Sequence, residues 1–332
     1  MALDTGINDP SNCYFMNDSS TPPHSGTGQW WLSPDVIMSG VDPSTATPGA
    51  GGAVTSLVTV RNNNCTLDPG DTVRFDLFVC VPSLNIAPFP PDTFVATTDA
   101  VVAAFGSPTS VPWNVTGSSS DPTGPGHKCL IARCYPFLGP GGKGSTPDPA
   151  NLSPYLPQDP HYAQHNLTVV ALSSGGKHQI PIKTGNQRLE SQLVLVHAVA
   201  DLQPSRTTLA AITPSLRATP GFRQIAAQPL RNVSINLESL AVQPGGGLFH
   251  QIQASIHPML ASSLATVENR FVTAHPTGVL QKVQIGPKAF TTFDLTVDLT
   301  GAKSGDAHIY HLTQTTAQGQ PDGGLTVVVV AQ

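Results

Sequence analysis

Leu67-Asp-Pro-Gly-Asp-Thr-Val-Arg-Phe-Asp-Leu-Phe-Val79 decides the fold class. Its Pro-Gly step favours a tight turn, because proline presets φ and glycine accepts a positive one. From Val73 onward Val73, Phe75, Leu77 and Val79 alternate with Arg74, Asp76 and Phe78. A period of two with one apolar face is a half-buried strand. Just upstream, Val54-Thr-Ser-Leu-Val-Thr-Val60 is dominated by β-branched residues and runs into the turn Arg61-Asn-Asn-Asn64.

The same texture continues along the chain. Strands are expected at 93–98, 128–134 and 166–172, and then at 192–199, 232–240, 248–256, 279–285, 290–299, 307–313 and 325–331. Seven runs of this size in the C-terminal half suit one β-sandwich. Residues 204–229 are the least β-like and can hold a short helix. The predicted architecture is all-β: two immunoglobulin-like antiparallel sandwiches in tandem, over 29–175 and 186–332, preceded by an extended arm over 1–28. The Pro/Gly-rich stretch 139–160 is read as a long loop, of the kind that carries function or stays flexible. The breaks between halves are Ser173-Ser-Gly-Gly176 and Gly185-Asn186.

Composition narrows the class of role. The 332 residues include 30 glycines and 32 prolines, and only 11% are charged, against a usual value of about 25%. Coiled coils and helical solenoids are excluded by so many helix breakers. A net charge of −5 with 39% apolar residues leaves enough material for a core, so charge-driven disorder is excluded too. No basic run points to nucleic acid. No apolar stretch reaches the about 18 residues needed to insert in a membrane. The N-terminal residues show no basic-then-apolar secretory pattern, so processing or export by another route is expected.

Trp31-Leu-Ser-Pro-Asp-Val36, the strand ending Val60-Arg-Asn62, and Leu67-Asp-Pro-Gly-Asp71 together resemble the bacterial cell-adhesion-related (CARDB-like) immunoglobulin-type domains. Lys128-Cys-Leu-Ile-Ala-Arg133 and Tyr162-Ala-Gln-His-Asn166 are similar to later strands of such surface proteins. The resemblance spans roughly residues 29–172. It implies a seven-stranded sandwich used for display, adhesion or assembly, often without a catalytic site. The long 139–160 insertion departs from that pattern.

Side chains that carry chemistry are sparse. All five cysteines fall in the first 134 residues. Cys65 and Cys80 can join neighbouring strands, and Cys129 and Cys134 can close a tight hairpin; buried reduced thiols are the alternative. His161 and His165 have the i,i+4 spacing of helical metal ligands, but on an extended chain four residues span about 13 Å, too far to share an ion. Asp306 and His308 would share one strand face with Tyr310, with His311 on the other. That is half of a triad, and no Gly-x-Ser-x-Gly nucleophile turn completes it. Ser174-Gly-Gly-Lys177 fits Ser-x-x-Lys only formally, because two glycines oppose the helical turn it needs. Trp30 and Trp31 are the candidates for stacking on a sugar.

These readings predict no catalytic residue, no cofactor and no metal. The expected role is a non-enzymatic structural or adhesion protein at an extracellular or particle surface. Its partners would be copies of itself or a cell-surface protein, reached through the arm, loops and sheet edges. The uncharged run Leu325-Thr-Val-Val-Val-Val330 must be central in its sheet or paired with another copy, since an open edge of this kind aggregates. The alternatives are a carbohydrate-binding module centred on Trp30 and Trp31, and a hydrolase or its accessory module using the His161/His165 or the Asp306/His308 region.

Overall fold

The structure is a computed structural model that describes residues 14–16, 28–39, 53–62, 72–80, 83–85, 94–101, 109–116, 129–137, 161–186, 188–237, 258–287 and 289–332. The 139–160 loop, the expected 248–256 strand, Cys65 and the first 13 residues lie outside them. The chain is predominantly β, and its described residues fall into two compact units that do not follow chain order. Residues of 1–82, 86–170 and 203–220 make one unit; 83–85, 171–202 and 221–332 make the other.

In the first unit, β3 (Ala53–Asn62) is flanked by β6 (Thr109–Thr116) on one side. On the other lie β2 (Val36–Ser39) and the two-residue β1 (Tyr14–Phe15). A second sheet runs β8 (Tyr162–Leu172), β7 (Cys129–Phe137), β4 (Thr72–Cys80) and β5 (Phe94–Val101), antiparallel throughout. The Trp-Leu-Ser-Pro-Asp segment is sewn between these sheets by its backbone. Asn166 N–H donates to Trp31 O at 2.9 Å, Ser33 N–H to Gln164 O at 2.8 Å, and Thr59 N–H to Asp35 O at 2.8 Å. The helix expected within 204–229 is α1 (Arg206–Ala218), started by Ser205, whose hydroxyl accepts from Thr208 N–H at 3.0 Å.

Within the expected arm, Tyr14 and Phe15 pair with Asn62 and Arg61, and Met16 is fully buried. Cys129 and Cys134 do not face each other across a hairpin. They sit five positions apart on the single strand β7, on opposite faces of a pleated chain, and both are buried thiols. The position opposite Cys129 in the ladder is Cys80.

The second unit holds an antiparallel run β13 (Val279–Ile285), β10 (Gln192–Asp201), β15 (Asp306–Thr316) and β16 (Pro321–Ala331), with the short β11 (Gln224–Ile225) parallel to β15. Beside it β14 (Ala289–Asp298) lies between β12 (Val233–Leu237) and β9 (Lys177–Asn186). The alternation missing from the sequence reading at β9 is plain in the structure: Ile180, Ile182 and Thr184 turn inward. Pro181 and Gly185 masked it, since both read as breakers. The uncharged C-terminal run is buried in its own chain, with no residue from Leu325 to Ala331 above 1% exposure.

Strands β6 and β9 and a second helix were not foreseen. Helix α2 (Pro258–Ala274) follows the expected 248–256 strand. Leu264, Val267 and Phe271 recur at helical spacing; Leu264 and Val267 pack with Leu195 and Ala317, and Phe271 is buried. Glu268 pairs with Lys282 at 2.5 Å, and Pro276 bars continuation.

A buried polar hub locks this unit. Gln314, fully buried, accepts from the Thr184 hydroxyl. It donates to Gly185 O at 2.9 Å and to Asp322 Oδ2 at 2.7 Å. Asn85 Nδ2 donates to the same Asp322 carboxylate oxygen at 3.0 Å. Leu84 N–H donates to Lys183 O at 2.9 Å, so the segment Ser83–Asn85 is bound to β9 as well. It passes so closely over Gly323 that a Cβ there would overlap Leu84 O and crowd Asn85 N. Gly323→Ala is therefore expected to cost about 2 kcal/mol or more, read as a lowered thermal midpoint. Gly286→Ala, whose Cβ would meet only Ala289 Cβ at 3.7 Å, should stay within about 0.5 kcal/mol.

Candidate functional site

The second unit carries a cavity of about 490 Å³ at the start of β15. Three pieces build it: the strand start, the segment 224–231 that begins with β11, and the turn 298–303 that leads from the end of β14 to β15. Backbone bonds fix their mutual placement. Arg223 N–H donates to Gly305 O at 2.8 Å, Ala226 N–H to Ala307 O at 2.8 Å, and Asp306 N–H to Lys303 O at 3.0 Å. Gly305 has φ of 92°, and a side chain there would run into Arg223 Cγ at 2.5 Å and Gly221 O at 2.9 Å. The close approach of the 221–231 segment thus needs glycine.

Asp306 and His308, two residues apart on β15, both line this cavity. His308 is 8% exposed; neither ring nitrogen makes a bond of good geometry among the described residues, and the Gln228 backbone is its weak near neighbour. Burial lowers its pKa, so the ring is neutral; the Asp306 charge and the approaching Gln228 backbone offset part of that. The two carboxylates of the lining are engaged. Asp306 Oδ1 accepts from Gln224 Nε2 at 2.8 Å. Asp298 accepts from Asn232 Nδ2 at 3.0 Å and from Thr300 N–H at 3.0 Å, and these bonds hold its carboxyl down at about 2. Arg231 and Lys303, both exposed on the rim, form no ion pair among the described residues.

The opposite face of β15 holds a second polar set that sequence reading did not assemble. His311 Nε2 lies 2.9 Å from Asp201 Oδ2, and His311 Nδ1 lies 2.9 Å from Thr326 Oγ1. The order carboxylate, imidazole, hydroxyl is that of a proton relay. Thr326 has no exposed surface and the set lines no part of the cavity, so it bonds β10, β15 and β16 together. Asp201 ends β10, far from His311 in sequence, and only the strand pairing brings them together.

The remaining candidates lie in the first unit. Trp30 and Trp31 are 4% and 2% exposed, stacked edge to face at 5.7 Å, so neither indole is offered to solvent. His161 stands just before β8 and its carbonyl accepts from Cys134 N–H at 2.9 Å. His165 is inside β8, bridged to Leu32 and buried. Desolvation lowers its pKa from 6.5 to about 4, with the backbone of Ser33 and Val36 offsetting part. Among the described residues no three His, Cys, Asp or Glu side chains gather as a ligand set for a metal.

No protein-family model matches the chain, and no curated protein matches it. Solved structures match only faintly. The collagen adhesin of S. aureus is 8% identical over 90% of this chain and 93% of its own, with a TM-score of 0.21. A Mobiluncus mulieris adhesin with intramolecular disulfide, isopeptide and ester cross-links is 7% identical over 89% of this chain and 97% of its own, at 0.23. Red sea bream transglutaminase is 8% identical over 90% of this chain and 31% of its own, at 0.19. At TM-scores this low the likeness carries no argument about shared function.

The buried histidines make stability depend on pH. His197 is also lowered from 6.5 to about 4, first by burial and then by the nearby His275 charge. With folded values below unfolded ones, acid protonates the unfolded chain first. The stabilisation is present above pH 6.5 and is lost as pH falls towards 4, by about 3 kcal/mol at most for each histidine. Asp322 acts oppositely: burial raises its carboxyl, while bonds from Gln314 and Asn85 and the Arg188 charge pull back, so its cost disappears as pH falls. Denaturant midpoints measured from pH 7 to 4 should fall, and His197→Phe should flatten part of that slope.

Proposed function

We propose that the chain is a non-enzymatic β protein of an extracellular or particle surface. It makes contacts through sheet edges, loops and the N-terminal arm, as a subunit of a fibre, shell or appendage. The CARDB-like resemblance of residues 29–172 belongs to the same reading. One observation carries it. Strand β12, Val233-Ser-Ile-Asn-Leu237, lies at the outside of its three-stranded sheet, bonded among the described residues on one side only, to β14. It contains no charge. Natural edge strands that stay monomeric usually carry charges, prolines or bulges to prevent further pairing.

The arm supports the reading in a second way. Tyr14 and Phe15 pair with β3 in the same chain, which supports a role for this part of the arm in strand addition. A neighbouring copy can receive the same segment in the same register, a domain-swapped exchange. Light scattering at increasing concentration tests this. Asn236→Lys, at an exposed edge position, and deletion of residues 1–28 should each reduce assembly. A wild-type protein that stays monomeric, or assembly untouched in both variants, contradicts the proposal.

A carbohydrate-binding role is the second reading. The buried Trp30–Trp31 pair does not favour it, but the cavity at Asp306 and His308 does.

A further inference from the structure

We propose that the cavity at the start of β15 binds an anionic saccharide, a sugar acid whose carboxylate sits at Arg231 and Lys303 and whose hydroxyls reach His308, Asp306 and Gln228. The proposal concerns a binding site of the second unit and stands apart from self-assembly.

The unused hydrogen-bonding capacity of the cavity points to this ligand class. The carboxylates are engaged from inside the protein: both Asp298 oxygens take donors from Asn232 and Thr300, and Asp306 Oδ1 takes Gln224. Arg231 and Lys303 line the same space without an ion pair among the described residues. The two cations and two carboxylates of the lining balance in formal charge, but the carboxylates already take donors from within the protein. The open donors are therefore those of Arg231 and Lys303, and Arg can grip a planar carboxylate by two parallel bonds.

His308 supplies the second half of the argument. A buried imidazole whose nitrogens have only the weak approach of the Gln228 backbone is under-satisfied, and such groups in native proteins are usually well bonded. A neutral ring offers one donor and one acceptor, the pair that a hydroxyl satisfies. A neutral body rich in hydroxyls therefore suits the interior and an anion suits the rim. At about 490 Å³ the cavity exceeds the space of a lone inorganic ion and falls within the range of small-molecule sites, about 300–1,000 Å³. Two acidic side chains in the lining also disfavour a multiply charged ligand, so a monocarboxylate fits better than phosphate or sulfate.

Calorimetric titration of the full chain with glucuronate, glucose and inorganic sulfate tests the assignment. Glucuronate should bind, with glucose and sulfate each at least about tenfold weaker, and binding should weaken with added salt. Arg231→Gln with Lys303→Gln should lower glucuronate affinity at least about tenfold while leaving the melting curve unchanged, since both are exposed. The imidazole resonances of His308, identified with His308→Gln, should shift on titration. That readout survives if a variant folds poorly. No heat and no shift up to about 10 mM glucuronate overturns the proposal. So does glucose or sulfate binding as tightly as glucuronate, or affinity unchanged in the double variant. Retention of glucuronate binding by the Asn236→Lys protein separates this site from the assembly edge.

Discussion

The buried carboxamide of Gln314 is the constraint on which the second unit depends. A primary amide with no exposed surface must find partners for its oxygen and both hydrogens. Here the partners come from different parts of the chain: Thr184 and Gly185 from β9, Asp322 from the start of β16, and through Asp322 the side chain of Asn85. Shifting β15 by one residue against β16 would put the shorter Thr313 or Thr315 where the amide sits and leave these groups without its three-way bonding. The register is thus set by polar satisfaction as well as by the apolar alternation, and the irregularity in the β15–β16 ladder falls at Gln314/Thr315.

That register carries the candidate site with it. Strand β15 holds Gln314 at one end and Asp306 and His308 at the other. Its middle is fixed by β10 and β16 on either side and by the Asp201–His311–Thr326 set. The cavity is therefore mounted on a strand bonded on both sides. Only the 224–231 segment and the 298–303 turn, which close over it, are irregular. A binding site built on a rigid strand with irregular rims needs little reorganisation to receive a ligand, which lowers the entropic cost of binding.

Much of this architecture was legible in the residues. The alternating run Val73–Val79, the run Val279–Ile285 and the uncharged run Leu325–Val330 are strands, and the weakly β-like 204–229 holds the helix Arg206–Ala218. Strand β9 escaped because Pro181 and Gly185 imitate a turn, yet both are tolerated beside β14. Helix α2 escaped because the surrounding chain is so rich in β-branched residues that a helical spacing of Leu264, Val267 and Phe271 did not stand out. The site was half legible. Asp306 and His308 were visible as a couple two residues apart, while Arg231, Asp298 and Lys303 were ordinary surface residues until the fold gathered them. Separation along the chain, not residue type, hid them.

Equilibrium unfolding of Gln314→Met tests the hub most directly. Methionine nearly matches the volume but leaves the Thr184 hydroxyl, the Gly185 carbonyl and the Asp322 carboxylate without the amide. If the hub fixes the unit, stability at neutral pH falls by about 3 kcal/mol or more. A loss below about 0.5 kcal/mol would contradict the account, since it would mean the register is held by apolar packing alone.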